Sequence, residues 1–231
     1  MHPDWLIPDW PAPHGVKAVC STRPGGVSVG PYASLNLGDH VGDAASAVMA
    51  NRAVYAQALA ARPVFLNQVH GIDVIRIGTD SPDGLVADAA LTEVPELACT
   101  VMVADCLPVL FCDASGQRVA AAHAGWRGLA GQDGIGILER CCQEMLADNG
   151  VCNAAGELLA WLGPCIGPSA FEVGDEVRAV FVGHDPAVSA LFRRHALGKW
   201  LADLPGLART RLHALGIHNI YGNDGSPAWC T

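Results

Sequence analysis

The stretch from Met102 to Gly128 constrains the fold of this chain more than any other. Two apolar runs flank the tetrapeptide Asp113-Ala114-Ser115-Gly116. Aspartate at the first position and glycine at the last position of a four-residue turn are typical of a type I turn. The pattern therefore predicts a β-hairpin whose turn is closed by Asp113 and Gly116.

This predicted register has a chemical consequence. If Asp113 pairs with Gly116, Cys106 lies directly opposite His123 on the neighbouring strand. The Cβ atoms of directly opposed residues are about 4.5 to 5.5 Å apart. A thiol and an imidazole at that distance either share one metal ion or form a nucleophile and base pair. The sequence alone leaves both interpretations open, and a slip of the turn by one residue per arm would misalign the two side chains.

A second histidine lies at the end of another predicted strand. Residues 64–69 and 74–77 have the pattern of strands, and the segment Asn67-Gln68-Val69-His70-Gly71 places His70 beside a glycine between them. Strand ends are common positions for ligand-binding residues. With Cys106 and His123, His70 would complete a set of three ligands, and three protein ligands with an open fourth position are typical of catalytic zinc. A metal-free dyad of Cys106 and His123 is an equally good interpretation of the spacing.

Composition limits the class of protein. The 231 residues fit a single large α/β or α+β domain, and 51 % hydrophobic residues allow a sizeable core. The net charge of -9, without a run of lysine and arginine, argues against nucleic acid or an anionic membrane as the main partner. No apolar run approaches the ~18 residues of a membrane span, and the N-terminus lacks the pattern of a signal peptide. We therefore expect a soluble, cytoplasmic protein.

The cysteine content agrees with a reducing compartment. Nine cysteines are an odd number, and a chain of this size needs no disulfide framework. We expect free thiols, most of which serve as small core residues. The cysteines in this group are Cys20, Cys99, Cys112, Cys141, Cys142 and Cys152.

Turn and capping residues divide the rest of the chain into predicted elements. A short strand is predicted over Val16 to Ser21, followed by a loop rich in proline and glycine that carries Arg23. Arg23 is either an ordinary solvated side chain or a ligand for an anion. The glycine spacings that form nucleotide-phosphate loops are absent from the sequence. Helices are predicted from Asp43 to Ala61, from Ile135 to Asn149 with Gly150 as the cap, and from Pro205 to Leu215.

Three segments together resemble the core motifs of a known enzyme family. They are Asn-Gln-Val-His-Gly at 67–71, Ala-Asp-Cys-Leu-Pro-Val-Leu-Phe at 104–111 and Ala-Ala-His-Ala-Gly-Trp-Arg-Gly at 121–128. Further segments, such as Thr-Arg-Pro-Gly-Gly-Val-Ser, Ser-Leu-Asn-Leu-Gly and Gly-Pro-Cys-Ile-Gly-Pro, resemble the same family in the same order. The family is that of the purine nucleoside phosphorylases formerly known as laccase-domain or polyphenol oxidase proteins. The resemblance extends over nearly the whole chain.

The resemblance implies a fold, a metal and an activity. The implied fold is a single α+β domain over residues 1–231, a four-layer α/β/β/α sandwich with mixed sheets. The implied metal is one Zn²⁺ bound by His70, Cys106 and His123, with copper as a less favoured occupant. The implied activities are phosphorolysis of adenosine, inosine and 5′-methylthioadenosine, together with deamination of adenosine. The implied partners are purine nucleosides and phosphate.

The end of the sequence departs from the pattern of this family. The family's Cys-Thr element continues into a further strand with a Tyr-Arg-Arg-Asp segment, whereas the present sequence stops at Cys230-Thr231. We expect a truncated sequence rather than an incomplete anion site, and the arginines of that segment are not carried over.

The remaining polar residues of the motifs are candidates for the chemistry. Zinc lowers the pKa of a bound water from about 15.7 to about 7, which is what deamination needs. Phosphorolysis needs an oriented phosphate and stabilisation of the leaving purine, for which arginines and amides are suitable. Asp105, Glu172, Gln68 and Asp88 are equally compatible with structural roles, such as acceptors for backbone amides. The candidates for substrate binding are Arg23, Asn36, Gln68, Arg127 and Glu172, and the candidates for catalysis are His70, Cys106, His123 and Asp105.

Other functions predict different observations. A multinuclear copper oxidase needs many histidines, often as His-x-His pairs, and the sequence has no such pair. A zinc-free cysteine hydrolase, of the type that edits peptidoglycan precursors, would use the Cys106 thiolate with His123 as the base. Alkylation of Cys106 in the absence of metal would be its sign. A non-enzymatic interaction module would bind a partner protein and turn over no nucleoside.

Overall fold

The computed structural model describes residues 2–147 and 155–231. Within these residues it contains five α-helices and twelve β-strands, joined by turns and short 3-10 helices. The helices are α1 Ala45–Leu59, α2 Trp126–Ala130, α3 Ile137–Leu146, α4 Asp175–His184 and α5 Leu204–Ala214. The strands are β1 Arg62–Asn67, β2 Val74–Arg76, β3 Leu85–Val86, β4 Ala89–Thr92, β5 Leu97–Thr100, β6 Leu107–Asp113, β7 Val119–Ala124, β8 Leu158–Leu162, β9 Glu172–Gly174, β10 Phe192–Ala196, β11 Lys199–Ala202 and β12 Asn219–Gly222.

The three predicted helices are confirmed as α1, α3 and α5; α1 and α3 are shorter than predicted, and α5 is shifted by one residue. The carboxylate of Asp43 accepts hydrogen bonds from Ser28, Asn36 and the adjacent backbone amide, so it does not cap the first turn of α1. The predicted cap at Gly150 lies outside the described residues. α5 begins after Asp203, whose side chain accepts the N–H of Gly206 at 2.9 Å. In the described part of the chain, no helix is long and apolar enough to cross a membrane.

Six strands form the central sheet, in the order β12-β8-β6-β7-β4-β2. β6 pairs antiparallel with β7 and β8, and β7 pairs antiparallel with β4, whereas the two outer pairs are parallel. Strands that are covered on both faces consist of continuous apolar runs. β8 is such a run, Leu-Leu-Ala-Trp-Leu, and all of its residues are buried. The hairpin of β6 and β7 therefore lies in the middle of the sheet.

The central hairpin is confirmed, but its predicted register is wrong. Pro108, not Cys106, lies directly opposite His123. The ladder closes with the pair Asp113 and Arg118, joined by a hydrogen bond from the Asp113 N–H to the Arg118 carbonyl at 3.1 Å. Cys106 is the residue that immediately precedes β6.

A longer loop than expected shifts the register. The predicted turn does form, since the N–H of Gly116 donates to the carbonyl of Asp113 at 3.1 Å. Gly116 then adopts a φ of +73°, in the left-handed region that favours glycine, and Gln117 follows before the ladder begins. The Asp113 carboxylate stabilises this loop by accepting the Gln117 N–H and the Ser115 hydroxyl, both at 2.9 Å. Four-residue loops built around a type I turn are a common hairpin connection.

A second sheet, with the order β3-β1-β5, packs on one face of the central sheet. Neighbouring residues of a strand point to opposite faces. In β4, Ala89 and Leu91 belong to the main core, which α3 and α5 cover, whereas Ala90 packs with Val64 of β1. α1 packs on β1 through an aromatic cluster. The fold is thus the predicted mixed α+β class, and the full four-layer arrangement stays a prediction.

A third, small sheet has the antiparallel order β10-β11-β9. α4 packs on it, and the apolar residues Val173, Phe181 and Phe192 connect this unit to the main core. Most of β10 is exposed. This sheet therefore lies at the periphery of the fold, and it is separate from the central sheet that contains the hairpin.

The strand predicted over Val16 to Ser21 is wrong. The segment pairs only at Cys20, which forms an isolated bridge with Leu6 through hydrogen bonds of 2.9 and 2.8 Å. An antiparallel ladder would next require a donor from Pro8, and proline has no N–H. The prolines near the N-terminus thus prevent the pairing that the apolar pattern suggests.

The eight cysteines in the described residues are free thiols. Cys112, Cys141 and Cys142 are buried, as expected for small core residues. Burial raises the pKa of Cys112 and of Cys142 to about 12. Cys20 and Cys99 are half-buried, and Cys152 lies outside the described residues.

Candidate metal centre

Three side chains that the sequence singles out converge at one end of the central hairpin. The ligand atoms of His70, Cys106 and His123 all lie within 4.8 Å of one another. The two imidazole rings are packed edge to face, with 4.8 Å between their centroids. His123 is buried in β7, Cys106 is half-buried and His70 is exposed, so the cluster opens to solvent on the side of His70. The predicted convergence is observed, and the role of these residues as zinc ligands stays a prediction.

Cys106 reaches His123 although the two residues are not directly opposed. Its position two residues before Pro108 makes it a diagonal neighbour of His123, and diagonal neighbours on paired strands are close enough for side chains to touch. The thiol and the imidazole are close neighbours, and the thiol contributes to raising the pKa of His123. The corrected register therefore preserves the contact that the predicted register was meant to explain.

Gly125 allows the three side chains to approach. A Cβ atom at this position would lie 2.8 Å from the Cys106 Sγ and 3.2 Å from the His70 Cδ2, closer than side chains pack. Gly128, one turn into α2, is equally constrained, because its Cβ would lie 2.7 Å from the carbonyl oxygen of Gly71. The glycines of the Gly-Trp-Arg-Gly segment thus bring the start of α2 against the loop that carries His70.

Asp88 lies behind the cluster and is completely buried. Its Oδ1 accepts the N–H of His70 at 2.9 Å and lies 2.8 Å from the Nδ1 of His123. Its Oδ2 accepts the N–H groups of Val69 at 3.1 Å and Gly71 at 2.7 Å. Every oxygen of this buried carboxylate therefore has partners, as a buried charge requires.

Hydrogen bonding outweighs burial in setting the protonation of this group. Burial alone would lower the pKa of His123, but its hydrogen bonds to Asp88 and Cys106 raise that pKa to about 9. Burial alone would raise the pKa of Asp88, but hydrogen bonds from His123 and from backbone amides lower it. The pKa of His70 is lowered by burial and by the neighbouring His123. A metal ion bound here has to displace a proton, because only a neutral imidazole is a ligand.

Two basic residues, Arg127 and His40, stand near His70. Arg127 is exposed at the start of α2, with its guanidinium 4.5 Å from the Trp126 ring, and its charge contributes to lowering the pKa of His70. His40 contributes in the same direction and lines a cleft of about 250 Å³ that extends to Met102 and Pro108 on either side of Cys106. His40 was not among the residues predicted from the sequence, although it begins the segment His-Val-Gly-Asp at 40–43, which also resembles the family described above.

Gln68 connects the His70 loop to the segment that leads to Cys106. Its Nε2 donates to the carbonyl of Met102 at 2.8 Å, and its Oε1 accepts the Met102 N–H at 2.7 Å. Both ends of the amide are therefore engaged by one backbone unit. The predicted role of Gln68 in substrate binding stays a prediction.

Arg23 and Asn36 belong to the loop that precedes α1. The Nη2 of Arg23 donates to the carbonyls of Pro31 and Ala33 at 3.2 and 3.0 Å. The Asn36 amide bonds to both backbone groups of Gly38 and to the carboxylate of Asp43. Asn36 lines the same cleft as His40. Both residues are held by the loop itself, and their predicted contacts with substrate stay predictions.

Asp105 and Glu172 have different surroundings. Asp105 is exposed next to Cys106, and its carboxylate accepts a hydrogen bond from the Thr231 hydroxyl at 3.4 Å. Glu172 lies in β9 of the small sheet, where its carboxylate is 3.6 Å from His195 and 3.6 Å from Lys199. The structure therefore places Asp105 beside the cluster and Glu172 in a separate ion-pair group.

The donor set fits a transition metal. One thiolate and two imidazoles are soft and borderline ligands that favour zinc or copper over magnesium or calcium. Three protein ligands leave one position for water or substrate, as in catalytic zinc sites. Within residues 2–147 and 155–231, this is the one group of three or more potential ligands of this kind. Within the described residues, the fold and this centre together indicate a mixed α+β scaffold with one group of side chains that could hold a metal ion.

The chain belongs to the family whose model is described as multi-copper polyphenol oxidoreductase laccase, which matches residues 17–231. Among its relatives, the purine nucleoside phosphorylase PA4543 of Pseudomonas aeruginosa is 51 % identical over 94 % of this chain and 86 % of the relative. The purine nucleoside phosphorylase YfiH of Escherichia coli is 49 % identical over 95 % of this chain and 86 % of the relative.

Solved structures agree with the fold. The crystal structure of Neisseria meningitidis protein NMB0706 superposes with a TM-score of 0.87 at 44 % identity and covers 96 % of this chain and 87 % of that chain. The crystal structure of YlmD from Geobacillus stearothermophilus superposes with a TM-score of 0.79 at 32 % identity and covers 91 % of this chain and 82 % of that chain.

Proposed function

We propose that this chain is a zinc-dependent purine nucleoside phosphorylase, formed as one domain over residues 1–231. The observation that carries the proposal is the convergence of His70, Cys106 and His123 in a chain whose close relatives are named purine nucleoside phosphorylases. The proposed reactions are phosphorolysis of adenosine, inosine and 5′-methylthioadenosine, and deamination of adenosine. The proposed location is the cytoplasm.

Zinc is the proposed occupant of the centre. One thiolate with two imidazoles and an open position is typical of catalytic zinc, which when bound supplies Lewis acidity and lowers the pKa of a bound water. Copper is the less favoured alternative, although the family description names it. Multicopper chemistry needs several metal sites, whereas the described residues contain one group of three ligands.

The residues around the centre would bind and orient the substrates. Arg127 carries a positive charge beside His70 and would bind phosphate, since a guanidinium matches an oxyanion in a bidentate geometry. Arg23, held by the carbonyls of its own loop, would provide a second guanidinium for phosphate. Asp105 would orient the nucleoside through hydrogen bonds that its carboxylate accepts. Asn36 and Gln68 would contribute through the loops that they hold, and Glu172 would contribute from β9 of the small sheet.

The requirement for phosphate tests this function. Purified, zinc-loaded protein is incubated with inosine or adenosine, with and without phosphate, and the bases and nucleosides are separated. We expect hypoxanthine from inosine only with phosphate, and inosine from adenosine without it. Release of hypoxanthine without phosphate would identify a hydrolase, and absence of turnover of any purine nucleoside would refute the proposal.

A second candidate is a cysteine hydrolase that uses Cys106 as nucleophile and His123 as base. The proximity of these two side chains favours it, because a thiol beside an imidazole is the arrangement of an activated nucleophile. Metal-stripped protein discriminates between the candidates. A hydrolase of this kind would keep its activity without metal and lose it when iodoacetamide alkylates Cys106, whereas the proposed phosphorylase would already be inactive without metal.

A further inference from the structure

A single buried carboxylate contacts both histidines of the centre. The histidines come from different parts of the chain, His70 from the loop after β1 and His123 from β7, and Asp88 lies between β3 and β4. The Asp88 backbone is also tied to β7, because its carbonyl accepts the His123 N–H at 2.7 Å. Asp88 makes no covalent change in the proposed reaction, so its contacts call for another explanation.

The first contact determines the backbone at His70. This residue has a φ of +60°, in the left-handed region that side-chain-bearing residues rarely adopt. Such a conformation costs about 1–3 kcal/mol and persists when the surroundings over-determine it. Here three consecutive N–H groups, of residues 69 to 71, point at the Asp88 carboxylate. The carboxylate therefore holds the loop that directs the His70 ring toward Cys106.

The second contact determines the tautomer of His123. A carboxylate only accepts hydrogen bonds, so the Nδ1 that lies 2.8 Å from Asp88 has to carry a hydrogen. In the neutral imidazole, the only form that ligates a metal, the Nε2 of His123 is then the nitrogen with a free lone pair. A carboxylate that accepts from the second ring nitrogen of a ligating histidine is the usual arrangement around protein-bound metals.

We propose that Asp88 is a positioning residue that prepares both histidine ligands at once, by holding the backbone of His70 and by leaving the Nε2 of His123 available to the metal. The proposal rests on the metal-binding part of the proposed function and is independent of the substrate. It assigns a role to a residue that the sequence leaves undecided between structure and chemistry.

Asp88→Asn separates positioning from mere volume, because the two side chains have nearly the same size. If the asparagine oxygen keeps the amides of residues 69 and 71, its NH₂ group faces His123 and donates to Nδ1. The imidazole then carries its hydrogen on Nε2, which cannot ligate. The opposite orientation of the amide points two donors at the amides of the loop. The analogous aspartate-to-asparagine change in serine proteases also acts through the wrong histidine tautomer.

Thr92→Val is the matched control. Thr92 is buried at the other end of β4 and donates to the carbonyl of Ile77 at 2.9 Å. Its substitution leaves a buried carbonyl without this donor, as Asp88→Asn perturbs buried amides, but it touches neither histidine. Zinc dissociation constants of wild type and both variants are measured by competition with a chelator, alongside thermal unfolding.

We expect Asp88→Asn to weaken zinc binding by about 10- to 100-fold and Thr92→Val to leave it within about 2-fold of wild type. Two-dimensional NMR of ¹⁵N-histidine-labelled, zinc-loaded wild type should show His123 with a hydrogen on Nδ1 and the metal on Nε2. Unchanged affinity in Asp88→Asn, an equal loss in both variants, or zinc on the Nδ1 of His123 would each overturn the proposal.

Amide hydrogen exchange makes the result independent of the metal. In metal-free protein, the amides of residues 69 to 71 should exchange faster in Asp88→Asn than in wild type and in Thr92→Val. If wild type binds no zinc but shows this difference, the proposed function fails while the holding of the His70 loop by Asp88 stands. If neither zinc binding nor the exchange difference is found, both fail.

Discussion

The central hairpin and the loop of residues 22–44 both carry candidate site residues, yet they are built by different interactions. The hairpin consists of backbone ladders between apolar strands. The loop contains a single 3-10 turn, Gly30–Tyr32, and is held by side chains. Chief among these is the buried Asn51 of α1, which accepts the Val27 N–H at 2.8 Å and donates to the carbonyls of Ser34 and Asn36.

This difference teaches where site geometry comes from in this fold. Ladder bonds leave the hairpin rigid whatever its side chains are, so ligand residues placed on it keep their positions. The loop depends on one buried amide, so the placement of Arg23 and Asn36 depends on a residue outside the loop. Substitutions of ligand residues at the hairpin should therefore change metal binding without unfolding the protein. Substitution of Asn51 should lower the stability of the protein without changing metal binding.

Loss of the thiolate should have the largest effect. Cys106→Ala removes a ligand and leaves two imidazoles, which do not hold zinc comparably. We expect about one zinc ion per chain in wild type and almost none in the variant, measured by mass spectrometry of metals after dialysis. Cys112→Ala is the control, because Cys112 is buried in β6 but outside the cluster. Full zinc occupancy in Cys106→Ala would show that the hairpin does not carry the metal.

The loop should respond next most strongly. Asn51→Ala removes the partners of the Val27 N–H and of the Asn36 carbonyl, and each buried group left unpaired in this way costs about 1–3 kcal/mol. We expect the free energy of unfolding to fall by about 2–3 kcal/mol, measured with urea, while zinc content stays unchanged. Gln57→Ala, on the exposed face of the same helix, should change the stability by less than about 0.5 kcal/mol. A loss of zinc in Asn51→Ala would contradict the independence of the two regions.

The two arginines lie on the two sides of this comparison, because Arg127 is in α2, directly after the hairpin, and Arg23 is in the loop of residues 22–44. Arg127→Gln and Arg23→Gln should each slow inosine phosphorolysis by about 10- to 100-fold, since a charge-assisted contact with an oxyanion is typically worth about 1.5–3 kcal/mol. Adenosine deamination, measured without phosphate, should change little. An equal loss of both reactions would assign the arginine to the nucleoside or to the fold. Unfolding measurements show whether a substitution acts through the fold. Arg23→Gln is the variant to check in this way, because Arg23 donates hydrogen bonds to carbonyls of its own loop.

The smallest expected effect concerns the stability of the far end of the hairpin. The hydrogen bond from Arg118 holds the pKa of Glu93 below its usual value, against the effect of burial. A lowered folded-state pKa stabilises the fold above the unfolded pKa of about 4.3 and loses this contribution as the pH falls below it. Glu93→Gln should therefore destabilise at pH 7, by less than about 1 kcal/mol because Glu93 is half exposed.

Urea unfolding at several pH values tests this sign. The difference between wild type and Glu93→Gln should be largest near pH 7 and should shrink as the pH falls below the unfolded pKa of about 4.3. Glu144→Gln, an exposed carboxylate on α3, provides the comparison. A difference that grows toward acid pH would contradict the assignment.

The sequence predicts the elements that depend on periodicity and turns. Apolar runs around Asp113 and Gly116 indicate the hairpin, and the motif positions bring His70, Cys106 and His123 together. The register is missed because the Asp113 carboxylate stabilises a longer loop. The pattern of apolar residues does not show which partners this carboxylate binds. The strand over residues 16–21 fails for a related reason, since its partner segment contains proline.

Residues that act by long-range side-chain contacts are the ones that sequence reasoning misses. Asp88 stands in the run Val-Ala-Asp-Ala-Ala, where a charged residue among alanines signals a buried carboxylate with obligatory partners. Its partners, 17 to 35 residues away, are not visible in the sequence. Asn51 is similar, because a polar residue on an apolar helix face is informative only when the loop that it holds is known. Gly125 is visible in its motif, but its reason is the nearby Cys106 sulfur.

Anomalous diffraction from a crystal, recorded on both sides of the zinc absorption edge, tests the central claim most directly. The account predicts one strong peak, about 2.3 Å from the Cys106 Sγ and about 2.0–2.1 Å from one nitrogen of His70 and from the Nε2 of His123. A zinc-loaded crystal without a peak at this position, or with a peak bound by other residues, would contradict it.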